Sequence, residues 1–278
     1  MLVQTPSARK LFDADFIRRS RTALAVGPAV LAGVVLGGPV FVLALAGIGA
    51  LAGLELQHMT RPAAPAGRLL TISLIVTCIA ALLLDAPLLI ALAALLLAGA
   101  GALETRSASG FQRSFPLRCY AILLAGALYI GFGLGLLALI RARPDGLALT
   151  LMLLLNNWST DAFALIGGRI AGRHKLAPHI SPKKTVEGAI TGLIAGVLAG
   201  TLTALALPDA LPLGTALAAN VLIAFSVQAG DLFESWVKRR LLVKDSGSIL
   251  PGHGGILDRI DGTLLASICF YALLLAAG

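Results

Sequence analysis

Apolar residues fill this chain in long blocks of similar length, separated by short stretches that hold most of the polar residues, glycines and prolines. The blocks fall at 22–37, 39–58, 69–84, 86–103, 117–140, 146–167, 186–207, 212–233 and 260–277. Each is close to the ~20 residues that an α-helix needs to cross the hydrocarbon core of a bilayer. The pattern predicts an all-α polytopic membrane protein with about nine transmembrane helices. Its narrowest breaks, Gly37-Gly38-Pro39 and Asp85-Ala86-Pro87, pair proline with turn formers and predict tight hairpins. Residues 1–21 are polar and basic (Arg9, Lys10, Arg18, Arg19, Arg21); they predict an interfacial segment without the apolar core of a cleavable signal. Glycine patches at Gly126, Gly131, Gly133 and Gly135, and at Gly188, Gly192, Gly196 and Gly200, suit close helix packing within lipid.

Composition agrees with the pattern. The 278 residues are 58% hydrophobic and only 13% charged, far outside the range of soluble domains. A net charge of +8 raises the question of nucleic acid, but no aromatic-rich basic module is present, and basic residues in a membrane protein first report topology. With the N-terminus inside and nine spans threaded, only Arg141 and Arg143 of the 22 lysines and arginines fall on the far side. The expected cytoplasmic face is therefore the one bearing all the others, and the C-terminus lies opposite. The three cysteines, Cys78, Cys119 and Cys269, are scattered through apolar segments and suggest neither a zinc site nor a disulfide framework. Two regions of one integral membrane unit are expected. Residues 1–145 supply packing and a lipid environment, and 146–278 carry the chemistry with their cytoplasmic loops.

Polar chemistry gathers late in the chain. Asn156, Asn157 and Asp161 lie inside the sixth block, with Asn157 and Asp161 on one helix face. An ionisable residue inside a span is expensive and usually lines a cavity. Next come Arg169, Arg173, His174 and Lys175, then Ser181-Pro182-Lys183-Lys184-Thr185-Val186-Glu187-Gly188. Here Ser181 is expected as N-cap and Pro182 as the first residue of the seventh helix, an anion-binding start that would offset Lys183 and Lys184 in the first turn. From Ser226 to Gly262, five carboxylates (Asp231, Glu234, Asp245, Asp258, Asp261) crowd with Lys238, Arg239, Arg240, Lys244 and Arg259. Gln228, Asp231 and Ser235 share one helix face, and Asp258 and Asp261 share another. Asp231, Asp258 and Asp261 are candidate ligands of a hard cation such as Mg²⁺, which takes few carboxylates and leaves room for phosphate oxygens. Salt bridges to Lys238 or Arg259 are the alternative. His253, in a glycine-rich turn, is open between ligand, phosphate donor and loop residue. Acidic ligands beside a dense basic lining suit chemistry between a phosphate-rich soluble substrate and a membrane-resident one.

Ser235-Trp236-Val237-Lys238-Arg239, Lys244-Asp245-Ser246-Gly247 and Pro251-Gly252-His253-Gly254-Gly255-Ile256-Leu257-Asp258-Arg259-Ile260-Asp261 together resemble the C-terminal signature of CDP-diacylglycerol synthases, the phosphatidate cytidylyltransferases. Asp161, Gly168-Arg169 and Ser181 to Gly188 resemble that family too, whereas the N-terminal half matches only in being apolar. The resemblance implies condensation of CTP with phosphatidic acid to CDP-diacylglycerol and pyrophosphate, with Mg²⁺ and a second cation such as K⁺, in the inner membrane and as a homodimer. It implies Asp231, Asp258 and Asp261 at the metal centre, with Asp161 and Asp245 either as further ligands or in a layer behind them. Lys183, Lys184, Lys238, Arg239, Lys244 and Arg259 would meet phosphates, and Ser181 and Thr185 would lie near the nucleotide. An ion-coupled transporter is the rival from another class; it would show deep opposing charges and repeat symmetry, neither of which is evident. The CDP-alcohol phosphotransferases fit less well, since their spaced-aspartate motif is not found.

Overall fold

The computed structural model describes residues 27–60, 65–107, 114–207, 211–247 and 254–277. Among them lie nine helices: α1 (Gly27–Leu36), α2 (Gly38–Thr60), α3 (Pro65–Leu83), α4 (Pro87–Ser107), α5 (Ser114–Ala142), α6 (Gly146–Ala171), α7 (Val186–Ala206), α8 (Leu213–Arg240) and α9 (Leu257–Ala276). They follow the nine apolar blocks closely. Six of the helices hold spans long and apolar enough to cross a membrane: α2, α5, α6, α7, α8 and α9. Shorter apolar stretches occur at Gly27–Leu36, Leu69–Leu83 and Pro87–Gly99. Both hairpin breaks are where the turn formers placed them. Gly37, at φ 61°, separates α1 from α2, and Asp85, at φ 51°, lies between α3 and α4. The basic segment 1–21 and His253 fall outside the described residues.

Two packed groups build the core. In the first, α2, α3, α4 and α5 bury Leu74, Ile75, Cys78, Ile79, Leu123 and Ile130. In the second, α6, α7, α8 and α9 pack together, and α5 joins the two by lying against both α3 and α9. The tightest approach is between α6 and α7, where Gly188, Gly192, Gly196 and Gly200 form a buried stripe. A Cβ on Gly192 would come 2.6 Å from the Thr160 carbonyl, so only hydrogen fits there. Small residues allow such backbone proximity where lipid gives helices no hydrophobic reason to associate.

One element departs from the expectation. Ser181 does not cap a helix and Pro182 does not begin one. Ser181–Thr185 is a strand, β2, paired antiparallel with β1 (Lys175–Ala177) through Lys175↔Thr185 and Ala177↔Ser181. A two-stranded ribbon is all edge, so proline's missing N–H is tolerated in it. The cap is Thr185, extended at φ −126° and ψ 154°, whose Oγ1 accepts from the Gly188 N–H at 3.1 Å. Ser-Pro and Thr-Val-Glu-Gly both read as helix starts. The second wins because Glu187 accepts from the backbone N–H groups of Arg173 (3.0 Å) and His174 (3.2 Å), folding the ribbon back onto α7.

Candidate functional site

The ribbon alters the two lysines. In a strand, successive side chains point to opposite faces. Lys183 is accordingly exposed, while Lys184 turns inward, with its Nζ 2.7 Å from Asp231 Oδ2 on α8. Both precede α7, so the expectation of two lysines in a helical first turn is replaced by one lysine reaching into the bundle and one facing away.

The ribbon meets α6, α7 and α8 at this level, and α9 packs against α8 beside it. From α6, Asp161 has Asp231, Lys184 and Arg259 as its charged neighbours, yet it keeps an exposed surface. Asp161 is thus accessible on one side while charged groups from other elements face it on the other. Beneath it, α6 is bolted to its neighbours by polar contacts. Asn156 Nδ2 donates to Asn220 Oδ1 on α8 at 3.0 Å, and Asn157 Nδ2 donates to Thr263 Oγ1 on α9, while Thr160 Oγ1, within α6, orients Asn156 by donating to its Oδ1 at 3.2 Å. Inter-helix hydrogen bonds of this kind hold helices in register inside a bilayer.

From α8, the expected face is present. Gln228 Nε2 donates to the Ala189 carbonyl of α7 at 3.1 Å, and Ser235 Oγ donates to Asp231 Oδ1 at 3.4 Å. One turn round the helix, buried Glu234 accepts from Lys238 Nζ at 3.0 Å, and Lys238 also bridges to Asp258 at the start of α9. The salt-bridge alternative is thus realised for Asp258, which accepts further from the backbone N–H of Gly255 at 2.8 Å and of Ser246 at 3.4 Å. Asp261 is buried, accepts from the Gly262 N–H at 2.7 Å, and has Asp231, Asp161 and Glu234 as acidic neighbours. Close approach of α8 to α9 makes this possible, since a Cβ on Gly230 would come 2.6 Å from the Asp261 carbonyl.

The structure therefore brings Asp161, Asp231, Asp261, Lys184 and Arg259 around one recess, with Asp258, Glu234 and Lys238 forming an adjoining buried triad. Arg239, in the last turn of α8, and Lys244 and Asp245, beyond its end, are exposed, and Arg239 Nε donates to the Ile180 carbonyl of the ribbon turn at 3.2 Å. Ser181 and Thr185 belong to the ribbon, and Thr185 is occupied in capping α7. Among the described residues, no three His, Cys, Asp or Glu side chains are arranged to hold a metal ion by themselves.

Sequence reasoning passed over two contributors. Tyr129 of α5 donates its hydroxyl to the Asp261 carbonyl at 3.4 Å, with no signal beyond its being a tyrosine in an apolar block. Glu55 of α2 is 2% exposed and accepts from Ser246, Ile256 and Leu257. Its signal was visible: it is the one acidic residue of the block at 39–58.

The phosphatidate cytidylyltransferase of Staphylococcus saprophyticus is 39% identical over 150 residues, which cover 54% of this chain and 57% of that protein. That of Brucella abortus is 40% identical over 148 residues, or 53% of this chain and 54% of its own. The chain thus spans a little over half the length of the curated relatives it matches. The model of the cytidylyltransferase family, in contrast, matches residues 17–277, nearly the whole chain, with all the helices and the recess inside it. This chain belongs to the cytidylyltransferase family.

Proposed function

We propose that the protein transfers the cytidylyl group of CTP to phosphatidic acid, releasing pyrophosphate and forming CDP-diacylglycerol in the membrane. The observation that carries this reading is the convergence of acidic residues from α6, α8 and α9 with Lys184 at the end of the bundle where basic residues concentrate. The names of the relatives supply the substrates, and the recess supplies a chemistry that fits them.

In that reaction a phosphatidate oxygen forms a bond to the α-phosphorus of CTP while the bond from that phosphorus to the bridging oxygen of the β-phosphate breaks. The attacking oxygen is already anionic, so no general base is needed. The task is to bring two polyanions together and to stabilise the charge that develops on the leaving pyrophosphate. Lys184 and Arg259 stand at the recess for this purpose, and the exposed Lys183, Arg239 and Lys244 form an electropositive rim that draws nucleotide in.

The residues present also fit Mg²⁺. Five acidic side chains (Asp161, Asp231, Glu234, Asp258, Asp261) face three basic ones (Lys184, Lys238, Arg259), and Glu234 Oε1 is buried with no hydrogen-bond partner. Mg²⁺ is usually held by one or two carboxylates plus substrate phosphates, so a closed protein cage is not required. Asp231 and Asp261 would hold it, with Asp258 joining them only by exchanging its Lys238 partner for the ion, and when bound it supplies charge neutralisation on the phosphates. A second cation such as K⁺ would have the same acidic surplus to occupy.

The positive-inside distribution supports a cytoplasmic position for this end of the bundle, where CTP is available, and we assign the protein to the inner membrane. Solubilised protein incubated with α-phosphate-labelled CTP, phosphatidic acid and Mg²⁺ is expected to yield organic-extractable label, and diacylglycerol in place of phosphatidic acid to yield none. Folded protein that transfers no label would overturn the reading.

A further inference from the structure

The buried carboxylate of Glu55 lies far along the chain from the candidate site, yet it contacts the two backbone stretches that frame that site. Its Oε2 accepts from Ser246 Oγ at 3.1 Å and from the Leu257 N–H at 2.8 Å, while Oε1 accepts from the Ile256 N–H at 2.8 Å. Ser246 follows α8, and Ile256 and Leu257 open α9. A helix start leaves backbone N–H groups without partners, and a negative charge placed there also meets the positive end of the helix dipole. Normally a side chain at the cap position satisfies them, but the cap residue of α9 is Ile256, which cannot. Glu55, from another helix, does so instead.

The fit is close on the loop side as well. A Cβ on Gly247 would come 2.7 Å from Glu55 Oε1, so the segment after α8 lies directly on the carboxylate. One residue past Leu257 is Asp258, which is held in turn by Gly255, Ser246 and Lys238. The backbone just before Asp258, and the Ser246 side chain whose own N–H meets Asp258, are thus fixed by a residue of α2, in the N-terminal half of the chain.

We propose that Glu55 is a positioning residue for the cytidylyl-transfer site, clamping the start of α9 and the segment at Ser246 so that Asp258 and Lys244 are presented to substrate. The proposal rests on the function proposed above. Glu55→Gln keeps the shape but puts an NH₂ group against at least one of the three donors, leaving a buried N–H unsatisfied.

The test has two arms. In the first, Glu55→Gln is compared with wild type under limiting trypsin, with cleavage after Lys244 read by mass spectrometry. Release of the clamp is expected to speed that cut by about tenfold, reflecting the lost buried hydrogen bond. In the second, label transfer from CTP is measured per folded molecule. The expected result is a kcat about tenfold lower with KM for phosphatidic acid within about twofold of wild type. Ser246→Ala, which removes one of the three donors and leaves the helix start clamped, is expected to fold normally and give a smaller change in both arms. Unchanged cleavage in both variants would overturn the clamp. Faster cleavage with an unaltered kcat per folded molecule would reduce Glu55 to a structural role and overturn positioning. Should wild type itself transfer no label, the functional reading fails, while the trypsin arm still decides whether the clamp exists.

Discussion

Lys238 offers the most quantitative handle on the site, because its ammonium group holds two carboxylates in a place with little water. The side chains of Lys238, Glu234 and Asp258 are only 11%, 8% and 12% exposed. At the 3.0 Å separation from Glu234, Coulomb's law with an effective dielectric constant of ~20 gives roughly 5–6 kcal/mol of attraction, much of it offset by the desolvation of both groups. Removing one partner of a buried pair forfeits that attraction and strands the others, at a cost of about 3–5 kcal/mol. Lys238→Met should therefore unfold about 6–20 °C lower than wild type, taking about 2–4 °C per kcal/mol for a chain of this size. The double variant Lys238→Met/Glu234→Gln should regain a large part of the loss. It removes the carboxylate that no longer has a counter-charge, while Asp258 keeps the N–H groups of Gly255 and Ser246. Thermal unfolding of the solubilised protein, followed in a double-mutant cycle, reads this directly. A Lys238→Met protein as stable as wild type, or a double variant no better than the single, would show that Lys238 does not neutralise the buried carboxylates.

Three further outcomes are expected. Lys184→Ala should lower turnover by about 100-fold, whereas Lys183→Ala should act mainly on KM for CTP, because the strand turns only Lys184 toward Asp231; steady-state kinetics separates the two. Gly192→Ala should destabilise the protein by about 1–3 kcal/mol in thermal unfolding, since its methyl group would press on the Thr160 carbonyl and drive α6 from α7. Chelation of divalent cations should abolish label transfer and added Mg²⁺ restore it, as a site with surplus carboxylates and a polyphosphate substrate requires; transfer that survives chelation would remove the metal assignment.

The helices were legible because apolar length is a coarse, strong signal in lipid, and both hairpins were legible because glycine, aspartate and proline mark them. The faces of α8 and α9 followed from helical spacing, so Asp231 with Ser235 needed no structure to be seen. What spacing could not show is which partner each charge takes. Asp258 and Asp231 looked equivalent in sequence, yet one closes a buried triad with Lys238 and the other meets Lys184 across an open recess. The start of α7 misled because two adjacent segments carry helix-start chemistry, and only the tertiary pairing with β1 selects between them. Glu55 was overlooked for another reason. Its partners are backbone N–H groups some two hundred residues away, and no local pattern reports them.

In the proposed reaction, carboxylates from three helices act together on one phosphoryl centre. The most direct measurement is pyrophosphate release from CTP and phosphatidic acid by wild type and Asp231→Asn, at matched amounts of folded protein. Release is expected to be at least ~100-fold slower in the variant, the scale on which the loss of one transition-state electrostatic contact acts. Equal rates in the two proteins would contradict it.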